Sequence, residues 1–151
     1  MKLAEALSVR SDLQERLYQL ETRLDNNSKV QEGDDPNEDP AALLAELDTV
    51  TSQLEETIGR INVTNGATKA SDGRTLAQLV AHRDVMKRKA QMLRNFLDSA
   101  SSTVSRHSAS EIRIVSTVDV KQLRKTADEV AEDVRRTDMA IQELNWTTEL
   151  I

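Results

Sequence analysis

Apolar residues recur along this chain at alternating steps of three and four, the spacing that puts them on one face of an α-helix. The first run is Leu3, Ala6, Leu13, Leu17, Leu20 and Leu24, with Arg10 in the missing place. It predicts a helix from about Lys2 to about Asn26, with Asn26 and Asn27 as its stop. The second run is Leu43, Leu47, Val50 or Thr51, Leu54, Ile58 and Ile61. Asp39 can cap its free N–H groups, Pro40 suits its first helical position, and Asn65-Gly66 reads as a left-handed terminus. The third run is unbroken: Leu76, Leu79, Arg83, Met86, Ala90, Leu93, Leu97 and Ala100, opened by a capping box of Thr75 and Gln78. The fourth is Leu123, Ala127, Val130, Val134, Thr137, Ile141, Leu144 and Thr148. Asp119 as cap, Gln122 three residues on, and Val118 stapled to Leu123 launch it.

Between the third and fourth runs, "EIRIVSTVDV" (111–120) alternates apolar and polar residues and is rich in β-branched ones, as a strand would be. Four helices joined by short links make two helical hairpins, most simply in an up-down-up-down path. That path brings the loops after the first and third helices to the same end. The expected fold is therefore all-α, an antiparallel up-down-up-down four-helix bundle. A short two-stranded β-ribbon, about 28–33 with 111–117, is expected to join the two loops, because an isolated strand leaves its backbone groups unpaired.

Composition narrows the function classes. The 151 residues fit a single helical-bundle domain spanning 1–151. Three aromatic residues and four glycines against 30% charged residues lean towards long helices. A net charge of −6 disfavours nucleic acid as a partner, and the cluster Lys87, Arg88 and Lys89 reads as a solvated helix face. With no cysteine, disulfides, thiolate metal sites and cysteine nucleophiles are excluded. The N-terminal "MKLAEALSVRSDLQER" turns charged too early for a signal peptide, and no apolar run approaches the roughly 20 residues of a membrane helix. A soluble cytoplasmic protein, with no membrane association, is the expectation.

Several stretches taken together carry a resemblance: "NNSKVQEGDDPNEDP", "RINVTN", "DGRTL", "SEIRIVSTVDV" and "IQELNWTTEL". In order and spacing they resemble a family of small bacterial, largely actinobacterial proteins labelled septicolysin, over essentially the whole chain. The resemblance implies an all-helical fold of this length and brings no catalytic residues. Its label implies a cytolysin, a role that a strongly amphipathic basic helix would support and that this sequence lacks.

Four sets of residues stand out as candidates. Arg10 and Arg83 sit on seam positions, each seven residues beyond a leucine, Leu3 and Leu76, and are expected at similar height. Glu55, Glu56, Thr57, Thr137 and Asp138 fall at that height on the descending helices, since a buried guanidinium needs a counter-charge. The layer either fixes helix register or, with Arg10, Arg83, Glu56 and Asp138, forms a pocket for carboxylate or phosphate. At the opposite end from the ribbon, Asn62, Asn65, Asn145 and Trp146 gather with Thr64, Thr68, Thr147 and Thr148, as end caps and a hydrophobic lid or as a ligand platform. The acidic loop Glu32, Asp34, Asp35, Glu38 and Asp39 lacks calcium-loop spacing, and His82 and His107 lack zinc-site spacing, so no metal or cofactor is expected. Last, Ala81, Val85, Met92 and Phe96 fall within an arc of about 60° on the third helix, away from its seam. A second apolar stripe marks either a wide core face or a subunit interface. The leading expectation is a non-enzymatic helical protein that self-associates and acts through protein contacts. The alternative is an anion- or small-ligand-binding protein, or an enzyme, built on Arg10 and Arg83.

Overall fold

The structure, a computed structural model, describes residues 1–102 and 113–151. Among these the chain is all-α, with four helices and no strand, as a helical bundle requires. The helices are α1 (Leu3–Asn26), α2 (Pro40–Ala67), α3 (Leu76–Ser101) and α4 (Val120–Thr147). By their contacts, the residues fall into two compact units, 1–69 with 144–151, and 70–143.

In the first unit α1 and α2 form an antiparallel hairpin. Asp39 accepts from the Ala41 N–H at 3.0 Å with Pro40 at the first helical position, so α2 starts where its cap chemistry says it should. Leu20, Leu43 and Val50 are buried together, with Leu13, Leu17 and Leu24 packed against them. At the other end Leu3, Ala6, Ile61 and Thr64 are buried. There Lys2 and Glu149 form an antiparallel bridge, with Leu3 N donating to Thr148 O at 3.0 Å and Leu150 N to Met1 O at 2.9 Å. Glu149 also takes the Met1 ammonium at 3.1 Å and Lys2 Nζ at 2.7 Å, which hold its carboxyl below the usual range. The expected stop at Asn65-Gly66 is displaced. Neither residue has a positive φ, and α2 continues to Ala67. Thr64 helps explain this: its hydroxyl donates to Arg60 O and accepts from Ile151 N at 3.0 Å, fixing the last turn from outside.

In the second unit α3 and α4 are joined by His82 with Asp133 and by Arg83 with Asp138. Thr75 and Gln78 cap α3 reciprocally, at 2.8 and 3.2 Å, and Asp119 accepts from Gln122 N at 3.1 Å at the start of α4. The turn leading into α3 uses Gly73 at φ +86°, a backbone region costly for any side chain. Leu76, Leu79 and Ala90 are buried on α3, as are Thr137 and Ile141 on α4. Leu93, Leu97, Leu123, Val130 and Val134 are only half-buried.

The β-ribbon is not formed by the described residues. Residues 28–33 and 113–117 carry no strand, while 111 and 112 lie outside the described residues. Val30, Ile114 and Val115 are exposed at 49%, 71% and 64%. The first loop is closed locally instead. Buried Asn27 donates to Arg23 O at 2.8 Å and accepts from Glu38 N at 2.9 Å, bridging the two ends of the loop in place of a strand partner.

The two hairpins are weakly similar in sequence, with Leu3, Ala4 and Arg10 of α1 matched by Leu76, Ala77 and Arg83 of α3. "LAEALSVR" opening α1 aligns with "LAQLVAHR" opening α3 at a shift of 73 positions. Glu5 accepts from Lys2 N at 2.7 Å, as Gln78 does from Thr75 N. Helices α2 and α4 align at a shift of 80 positions, with both 28 residues long and both capped by aspartate. A loop of different length after α1 and α3 separates the two shifts.

Candidate functional site

The outward stripe of α3 is an apolar feature left exposed on the second unit. Val85 is 62% exposed, Met92 63% and Phe96 46%, with Ala81 exposed beside them. At 100° per residue they lie across the helix from Ala90 and Leu97 on its seam, so burying the seam cannot bury them. The repeat makes the choice of residues informative. The aligned positions of α1 are Ser8, Asp12, Gln19 and Arg23, all polar.

The repeat places Arg10 and Arg83 at equivalent positions with different surroundings. Arg83 Nη1 donates to Asp138 at 3.2 Å and its Nε to Asp84 at 2.9 Å. Burial lowers the Arg83 pKa, but these carboxylates outweigh it, and the net direction is upward. Asp84 and Asp138 align with Ser11 and Ile58 in the first hairpin, so Arg10 has neither partner. Its Nε is buried with no hydrogen bond among the described residues. Of the expected layer, Arg83 and Asp138 are joined, whereas Glu56 is exposed and forms no ion pair with Arg10 among the described residues.

In the first unit Asn145 is buried, Asn65 half-buried and Asn62 exposed. Trp146 is 65% exposed, so its ring does not close over the helix ends as a lid. His82 Nε2 lies 2.7 Å from Asp133 Oδ2, a pair that helical periodicity on one strand of sequence does not reveal. No group of three or more histidines or acids able to hold a metal occurs among the described residues. No described helix is long and apolar enough to cross a membrane.

Residues 10–150 match a family described as one of unknown function, DUF6847. The chain belongs to the DUF6847 family. A crystal structure of a functionally unknown conserved protein from Corynebacterium diphtheriae is similar to this DUF6847 chain at 42% identity and a TM-score of 0.89, covering 100% of this chain and 99% of the other. No curated protein matches. These findings overturn the septicolysin resemblance, because neither the family nor the solved relative is described as septicolysin. The cytolysin role rested on that label alone and falls with it. Among the described residues, the chain presents an exposed apolar stripe on α3 and an unpartnered Arg10 Nε.

Proposed function

We propose that this protein is a non-enzymatic cytoplasmic component that self-associates through the outward face of α3, with residues 1–151 acting as one domain. The observation that carries this is the exposure of Val85, Met92 and Phe96 on a helix whose seam lies on its opposite side. Contiguous exposed apolar surface marks association, and the aligned face of α1 is polar. Closed symmetric pairing would bury the stripe against its own copy, the common arrangement for soluble proteins. Multi-angle light scattering over a dilution series from high to low micromolar concentration tests it. A mass above that of one 16.9 kDa chain, falling on dilution, is expected, and a constant monomer mass would overturn the proposal.

A second reading, anion binding, is favoured by the unpartnered Nε of Arg10. Two carboxylates already engage Arg83, so Arg10 is the better of the two arginines for a carboxylate or phosphate. A thermal-shift series with inorganic phosphate and citrate, on wild type and Arg10→Met, tests it. An anion that binds the folded state raises Tm in wild type alone.

A further inference from the structure

The seam of the second hairpin is notched. Between α3 and α4 lies a trough of about 490 Å³ whose floor includes Ala90, Ala127 and Ala131. The internal repeat explains it. The aligned residues of the first hairpin are Leu17, Leu47 and Thr51. Each exchange of leucine for alanine removes three carbon atoms from between the helices, and packed interiors do not close such gaps fully. Val134, also in the floor, stands where the first hairpin has Leu54. The lining spans Lys87 to Leu97 on α3 and Ala127 to Arg135 on α4, so the notch occupies part of each helix.

The rim is basic. Lys87 and Arg94 border the trough from α3 and Arg135 from α4, against Asp128 alone on the acidic side. None of these three cations is engaged in an ion pair among the described residues. In a chain of net charge −6, the trough gathers three cations against one acid around an apolar surface. From Lys87 to Leu97 the trough follows α3 for about 15 Å at 1.5 Å per residue. Its volume lies in the range of small-molecule sites, about 300–1,000 Å³. A partner helix would instead need contact along several more turns.

We propose that this trough binds an anionic amphiphile, whose apolar chain lies on Ala90, Ala127 and Ala131 while its carboxylate or phosphate is held by Lys87, Arg94 and Arg135. The chain replaces the missing leucine carbons, and the acid group receives charge-assisted hydrogen bonds from the rim. The site lies across α3 from the Val85–Phe96 stripe, so binding and self-association use separate surfaces.

Isothermal titration of the full chain with decanoate, decyl phosphate and decanol, all below their aggregation limits, tests the assignment. Saturable binding near one equivalent is expected for the two anions, with decanol weaker by about tenfold or more. Decanoate alone would point to a carboxylate ligand, and decyl phosphate alone to a phosphate one. Ala127→Leu, which restores the residue of the first hairpin, should abolish binding of both anions while leaving helicity intact. Ala131→Leu provides the same test should the first variant fail to fold. Substituting Lys87, Arg94 and Arg135 together by Gln should reduce the anions to the level of decanol. Absence of saturable binding, equal affinity for decanol and decanoate, or binding that survives a filled trough would each overturn the proposal. So would tight binding of an acidic amphipathic peptide with none of decanoate, because the occupant would then be a protein.

Discussion

Helices α1 and α3 both open on Leu-Ala with an arginine seven residues beyond the leucine, yet the aligned outward faces differ in character: Ser8, Asp12, Gln19 and Arg23 on α1, Ala81, Val85, Met92 and Phe96 on α3. The difference extends to the loop-proximal half of each hairpin. In the first, Leu20, Leu43 and Val50 are buried, and Arg23 reaches Glu38 at 2.6 Å and Glu46 at 3.2 Å while Arg16 Nε also bonds Glu46. In the second, Phe96 stands where Arg23 does, Val118 where Glu38 does, and Thr126 where Glu46 does. In that half the first copy thus buries an apolar cluster and pairs Arg16 and Arg23, although its Arg10 Nε has no partner among the described residues. The other copy leaves apolar surface, free cations and a notch. Surfaces kept incomplete in a folded domain are the usual places for partners and ligands, so function is sought on the second hairpin.

The cores of the two hairpins should respond most differently to truncation. Leu20→Ala removes a fully buried side chain and should cost about 2–5 kcal/mol, read by denaturant unfolding. Leu93→Ala, at the aligned but half-buried position, should cost roughly 1–2 kcal/mol, as partial burial scales the loss. Equal costs would mean that the second hairpin is as well packed as the first.

The arginines give the next effect. Arg83→Met leaves Asp138 half-buried without its guanidinium and should destabilise by about 1 kcal/mol, a value already reduced for solvent screening. Arg10→Met removes a donor that has no partner and should be neutral or mildly stabilising. A loss at Arg10 matching that at Arg83 would show that Arg10 has a counter-charge after all.

How much of this was legible beforehand divides along local and non-local lines. The starts of α2, α3 and α4 were readable at Asp39-Pro40, Thr75 with Gln78, and Asp119 with Gln122, because a cap is decided within four residues. The strand pattern misled at 113–117, since alternation records propensity whereas a ladder needs a partner elsewhere in the chain. The Arg83–Asp138 contact was foreseeable from seam register, but the isolation of Arg10 follows only from Ser11 and Ile58 replacing two carboxylates. That contrast, like the alanine notch, is written in the repeat. Different loop lengths after α1 and α3 give two alignment shifts and so hide the repeat from a scan at one fixed period.

The smallest effect is acid-dependent. Hydrogen bonds from Arg23 hold the Glu38 carboxyl below its ordinary value, and those from Arg16, with help from Arg23, do the same for Glu46. Depressed folded-state values mean that the unfolded chain binds more protons. The stabilisation is therefore complete above the ordinary glutamate value of about 4.3 and is lost as pH falls through the folded values. Arg23→Gln should lower Tm slightly at pH 7, and the gap to wild type should narrow as pH falls through the depressed folded values. A gap unchanged with pH would assign the effect of Arg23 to packing of its stem.

The central claim is that the apolar face of α3, absent from α1, is an association surface. Sedimentation velocity on wild type and on Val85→Glu with Phe96→Glu, at equal micromolar concentration, tests it most directly. An oligomer that becomes a folded monomer of unchanged helicity is the predicted result. A wild type that sediments as a monomer, or an oligomer untouched by the two charges, would contradict it.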